Sequence, residues 1–553
     1  MSISMKKLSI LLSVILLGGS APVWACTNFL VSRGASADGS TMITYAADSH
    51  VLYGELYHRP AADWPAGTLA EVREWDTGKY LGKIPQIAHT FSVIGNMNEH
   101  QVAIGETTYG GRAELQNPDG IMDYGSLIYM TLQRAKSARE AIQIMVDLCE
   151  KFGYYSSGES LSISDPNEVW IFEIIGKGPG KKGILYVGRR VPDGYICAHA
   201  NQARITTFPL KDADNCVYSK DVITFARDKG WFNGKDEEFS FRDTYAPLEF
   251  GSLRGCEARV WSFFNHVAKG MEQYIDYAMG YDARNPMPLW IKPDHKLTAQ
   301  ELMACMGDHY EGTPMDMTRD LGAGAFDSPY RWRPMHFTVD GQDYLNERAI
   351  ATQQTGFSFV TQSRSWLPDA IGGILWFGVD DAATTQYVPM YCGILNVPET
   401  FAEGNGDLLK YSPTSAFWIF NRVSNMCYLR YNYMVKDVQK VQKELTDKFA
   451  AYIPAIDEAA KSLLAMDEKT GREFLTDFSC RMGDYTFNRW KELSEYLLVK
   501  YIDGNIKKEK DGKFLDNGTG VAVGPDQPGY SEAWKKMVRD DAGAKLKVVE
   551  MKK

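Results

Sequence analysis

The sequence has no C-x-x-C pair among its nine cysteines, no H-E-x-x-H or clustered ligand pair among its nine histidines, and no G-x-S-x-G. These absences exclude zinc ribbons, thioredoxin-like motifs and the serine elbow of α/β-hydrolases, and they leave no metal motif. Basic residues are not in excess. With 60 Lys+Arg against 70 Asp+Glu the net charge is −10, so the field that a nucleic-acid partner requires is missing. After residue 25 no apolar run reaches the length of a membrane span. There is no internal repeat. The run Gly178-Pro179-Gly180-Lys181-Lys182-Gly183 matches G-x-G-x-x-G. It lies between two strand-like runs with no helix opening after it, so it reads as a hairpin turn rather than a dinucleotide site. No cofactor and no metal is expected.

What is present is a chain of 553 residues, 44% hydrophobic and 12% aromatic, which is enough for a large core. Its first 25 residues read as a signal peptide. Lys6 and Lys7 precede an apolar stretch over 8–17, and Val23-Trp24-Ala25 forms a cleavage site. The expected product is exported, periplasmic or extracellular, with Cys26 as its new N-terminus.

Cys26 admits three readings. It is lipidated, giving a membrane-anchored protein, although Val23 and the bulky Trp24 stand where lipidation signals prefer leucine and a small residue. It is buried or disulfide-bonded, as exported cysteines commonly are. Or it is an N-terminal nucleophile whose own α-amine takes the thiol proton, since roughly a third of such an amine is neutral at mildly alkaline pH. The first and third exclude each other, because lipoprotein maturation acylates the amine. The other eight cysteines are scattered, either paired or buried as small hydrophobes.

Two β-rich runs, 27–32 and 41–46, flank a Gly/Asp/Ser turn and predict a hairpin at the mature N-terminus. Further strands are expected at 87–94, 102–107, 161–164, 169–175, 184–187, 195–198, 356–361, 372–379 and 386–391. Helical spacing covers 125–152 and 256–279, and from about 416 onward the pattern is helical. Strands and long helices fall in blocks, which predicts an α+β fold with a helical C-terminal region. Asp48, at the end of the second strand, is placed to return beside Cys26 across the hairpin.

The run Cys26-Thr27-Asn28-Phe29-Leu30-Val31, followed by Ala37-Asp38-Gly39-Ser40-Thr41-Met42, resembles the mature start of the dipeptidase A family. That family includes the secernins and belongs to the N-terminal-nucleophile cysteine hydrolases. Similar blocks follow in the same order: Gly95-Asn96-Met97-Asn98-Glu99, Ala198-His199-Ala200-Asn201-Gln202-Ala203-Arg204-Ile205 and Glu257-Ala258-Arg259-Val260-Trp261-Ser262. Then come His309-Tyr310-Glu311-Gly312-Thr313, Gly372-Gly373-Ile374-Leu375-Trp376 and Tyr387-Val388-Pro389-Met390-Tyr391, so the resemblance covers about 26–435.

The resemblance implies a four-layer αββα sandwich over 26–435, a helical region over 436–553, and hydrolysis of dipeptides or short peptides. It makes Cys26 the nucleophile and its amine the base, with Asp48 holding the amine, Asn201 donating to the oxyanion and Arg259 supplying positive charge. Glu106 is the candidate anchor for a substrate ammonium. A homo-oligomer is compatible with this reading. The alternatives are an N-acyl amide hydrolase like bile-salt hydrolases and penicillin acylases, or a lipidated binding protein without catalysis. One position departs from the pattern: relatives carry R-x-x-D, whereas this chain reads Tyr45-Ala46-Ala47-Asp48, and a phenol does not replace a permanent charge.

Overall fold

The computed structural model describes residues 26–551; the expected signal peptide lies outside them. The main strands are β1 (Asn28–Val31), β2 (Met42–Asp48), β3 (Ala103–Gly110), β4 (Gly158–Ser164), β5 (Val169–Gly176), β6 (Ile184–Arg190), β7 (Ile196–His199), β8 (Thr355–Ser363), β9 (Gly373–Val379) and β10 (Val388–Tyr391). They build two antiparallel sheets. One runs 290–291, β7, β1, β2, β8, β9, β10, and the other 216–218, β6, β5, β4, β3, 97–98, 93–94, 58–59. The expected N-terminal hairpin forms, with Leu30 opposite Ile43 and Val31 opposite Met42. The glycine-rich run 178–183 is the turn between β5 and β6, which pair antiparallel.

The two sheets face each other, with β2 against β3 and β4, and β1 against β3, β4 and β5. Both faces of these strands are therefore covered, and β2 is buried along its whole length. At Gly105 the backbones come so close that a Cβ would sit 2.7 Å from Asn28 Nδ2 and 3.2 Å from Tyr45 Cβ. Only glycine fits there.

Helices α1 (Tyr124–Leu132) and α2 (Ala138–Phe152) cover the outer side of the second sheet. Their Leu127, Ile142, Met145 and Cys149 share a core with Ile104, Leu161, Trp170 and Phe172. The sequence predicts one helix over 125–152, but the chain breaks at 133–137. Asn98 reaches in from the second sheet and donates to the Leu132 and Ala135 carbonyls, both at 2.7 Å, ending α1. Ser137 then caps α2 by accepting from the Glu140 amide at 3.2 Å.

The outer side of the first sheet is covered by α3 (Ala258–Val267), α4 (Ala299–Met306), α5 (Ala416–Leu429), α6 (Tyr431–Met466) and α7 (Glu468–Tyr501). Phe263 of α3 stacks on Phe29 with ring centroids 3.8 Å apart. The helix expected over 256–279 is also shorter. It enters through a wide π-helical stretch (Ser252–Glu257) and stops at Ala268, which is extended, ahead of Gly270 at φ 82°. The C-terminal helices are as expected in kind. Helices α6 and α7 turn on Asp467, whose carboxylate accepts from the Thr470 amide at 2.8 Å. Among the described residues every cysteine is free and no helix is long and apolar enough to cross a membrane.

Candidate active site

The hairpin register carries one step beyond β1: Thr27 bridges Ala46, which sets Asp48 just past Cys26 on the adjoining strand. Cys26 is 4% exposed. Its Sγ lies 3.5 Å from Glu106 Oε1 on β3 and 3.9 Å from the Tyr45 hydroxyl on β2. Tyr45 donates to the same Glu106 oxygen at 2.6 Å. Burial, then the negative charges of Glu106 and Asp48, push the thiol well above its ordinary value; a hydrogen bond with the Asp48 main chain opposes them.

Asp48 is buried and held at both oxygens, by Arg348 Nη2 at 2.6 Å and by the Thr355 hydroxyl at 2.6 Å. Burial nevertheless raises its carboxyl against the Arg348 charge. Neither partner is readable from spacing, because Arg348 lies 300 residues away in the chain.

Arg259, on α3, is fully buried and uses all five of its N–H donors. Nη1 reaches the Cys26 carbonyl oxygen at 2.6 Å and Thr27 Oγ1 at 2.9 Å. Nη2 reaches the Ala200 carbonyl at 3.1 Å and Asn201 Oδ1 at 2.9 Å, and Nε the Gly255 carbonyl at 2.8 Å. The guanidinium thus clamps the Cys26 main chain and the Asn201 amide to one point, rather than touching the sulfur. Asn201 sits at φ 60° in the left-handed region and donates to the Thr108 carbonyl at 2.8 Å. Four of the sequence-predicted residues, Cys26, Asp48, Asn201 and Arg259, therefore converge, and Glu106 joins them.

Three further groups complete the environment. Glu159, opposite Thr108 on the neighbouring strand, lies near Glu106, and burial followed by the Glu106 charge pushes its carboxyl well above the usual range. Asp76 accepts from Tyr124 Oη at 2.7 Å and is pushed up to about 7, by burial first and partly by Glu106. His199, inside one of the family-like blocks, is not a base: its ring nitrogens contact Thr107 and Ser162 hydroxyls at 2.7 Å, and burial lowers it to about 3. Among the described residues no group of three or more His, Cys, Asp or Glu side chains is arranged to hold a metal ion.

A buried thiol, a guanidinium clamp on its main chain and the Asn201 amide thus meet at the junction of the two sheets. The sequence profile of peptidase family C69 matches residues 25–444, and the chain belongs to that family. It is 24% identical over 459 residues to a probable dipeptidase of Latilactobacillus sakei, covering 79% of this chain and 88% of that one. Dipeptidase A of Lactobacillus helveticus is 22% identical over 493 residues, 85% of this chain and 95% of its own. A dipeptidase of Bifidobacterium longum is 24% identical over 497 residues, with 80% and 85% covered. The family indicated by the separated sequence blocks is the one matched.

Proposed function

We propose that this protein is an exported cysteine dipeptidase of the N-terminal-nucleophile kind, matured by cleavage ahead of Cys26. The facing sheets, with helices on both outer sides, support the four-layer fold that this reading requires. The observation that carries it is the Arg259 clamp, which joins Cys26 to Asn201 across more than 170 positions of sequence.

In the reaction the thiol proton passes to the Cys26 α-amine as Sγ attacks the peptide carbonyl. Asp48 holds that amine, and Arg348 and Thr355 hold Asp48. The carbonyl oxygen takes the negative charge, and Asn201 Nδ2, one hydrogen of which is engaged with Thr108, offers the other to it. The C–N bond breaks as the ammonium proton moves to the leaving amine, leaving a thioester. Water then attacks with the same amine as base, and Sγ leaves with the proton.

Glu106, beside the sulfur, favours peptides with a free N-terminal ammonium over N-acyl amides. A panel of dipeptides and N-acyl amides tests this, with Cys26→Ala as control. Dipeptide turnover abolished by that substitution supports the reading; turnover that survives it contradicts it.

A further inference from the structure

Glu106 presents a buried carboxyl that burial raises above the usual carboxylate range, and among the described residues no ion pair is made by Glu106, by Glu159 or by Asp76. Its Oε1 takes the Tyr45 hydroxyl at 2.6 Å, and its Oε2 is buried without a hydrogen-bond donor. An uncompensated buried carboxylate is costly, and a cation delivered by a ligand relieves it. The groups facing Cys26 are Tyr45 and Asp48 from β2, Glu106 from β3 with Glu159 behind it, Asp76 and Tyr124 beyond, and Arg259 from α3. Arg259 points its donors at main chain, and Arg348 is engaged with Asp48.

The second consideration is reach. In a peptide the α-nitrogen of the acyl-side residue lies about 2.5 Å from the carbonyl carbon. A carbonyl poised over Sγ therefore brings that nitrogen beside a carboxylate oxygen 3.5 Å from the sulfur.

We propose that the α-ammonium of the substrate's N-terminal residue docks on Glu106 next to Cys26 Sγ and supplies a positive charge beside the sulfur. Recognition and activation are then one event. Without substrate, the carboxylate beside the sulfur keeps the proton on the thiol; with the ammonium in place the pair is neutral and the thiolate becomes accessible. The ligand class is a peptide with a free α-amine on the residue whose carbonyl is attacked. No bond other than the ion pair is formed in this step. It rests on the hydrolase reading above.

The test compares alanyl-alanine with propionyl-alanine, which is the same molecule without the α-amine, and measures iodoacetamide alkylation of Cys26 in the substrate-free mature protein across pH. Wild type is expected to favour the free amine by at least about a hundredfold in kcat/KM. Glu106→Gln is expected to lower dipeptide kcat/KM at least about tenfold, yet to speed alkylation at pH 7 severalfold; a merely structural role would slow both. Tyr45→Arg, which leaves Glu106 in place, is expected to speed alkylation and to narrow the preference for the free amine. Equal turnover of both substrates by wild type overturns this inference alone, as does slower alkylation in both variants. A wild type that cleaves neither substrate overturns the hydrolase reading and this inference with it.

Discussion

The Arg259 guanidinium donates to the carbonyl oxygen of Cys26 at 2.6 Å. The contact makes the Cys26 main chain, rather than its sulfur, the object of the buried charge. It also ties the hairpin start to α3 and, through Nη2, to Asn201.

Arg259→Lys removes the fork that serves five residues at once, because an ammonium cannot reach five acceptors in a plane. The expected result is a loss of about 3 kcal/mol in stability from the buried carbonyls left unpaired. A drop in dipeptide kcat of at least about a hundredfold accompanies it. Chemical denaturation and steady-state kinetics measure the two.

Asn201 combines a strained backbone with the proposed oxyanion donor. Asn201→Gly accepts the φ of 60° without cost and removes only the amide. Its kcat is expected to fall about 10²–10³-fold with KM nearly unchanged. Asn201→Ala, which adds backbone strain of about 1 kcal/mol, is expected to match that kcat with a lower melting temperature.

Arg348 and Asp48 form a buried ion pair, so Arg348→Met leaves an uncompensated carboxylate beside the proposed amine. Breaking such a pair costs about 3–5 kcal/mol. The melting temperature falls, and the acid limb of the kcat/KM profile moves up in pH because Asp48 loses the charge that holds its carboxyl down. Profiles of both proteins over pH 5–9 test this.

Asp76 is raised from 3.8 to about 7. Between those values the folded protein holds a proton that the unfolded chain has released. This contribution to stability is complete below about pH 4 and is lost as pH rises through 7. Asp76→Asn keeps an acceptor for Tyr124 and removes the titration. Its melting temperature, relative to wild type, is expected to climb between pH 4.5 and 8, and a constant difference would contradict the assignment.

The parts legible in sequence were local. The β1–β2 hairpin follows from two β-rich runs around a turn, and it brings Asp48 to Cys26 with no further information. Asn201 and Arg259 were found through their places in family-like blocks; their spacing alone carries nothing. Glu159 stayed hidden because alternation along Glu159-Ser160-Leu161-Ser162 reads as a strand with a solvated face, whereas the second sheet is covered on both sides. Arg348 and Asn98 act across long loops, and the break at 133–137 depends on the Asn98 side chain arriving from another layer.

The measurement that bears most directly on the central claim is the intact mass of the protein matured in its own export pathway. The account predicts a chain beginning at unmodified Cys26, with the α-amine free to act as base. A mass carrying a diacylglyceryl group and an acyl chain on Cys26 would remove that base and contradict the hydrolase mechanism.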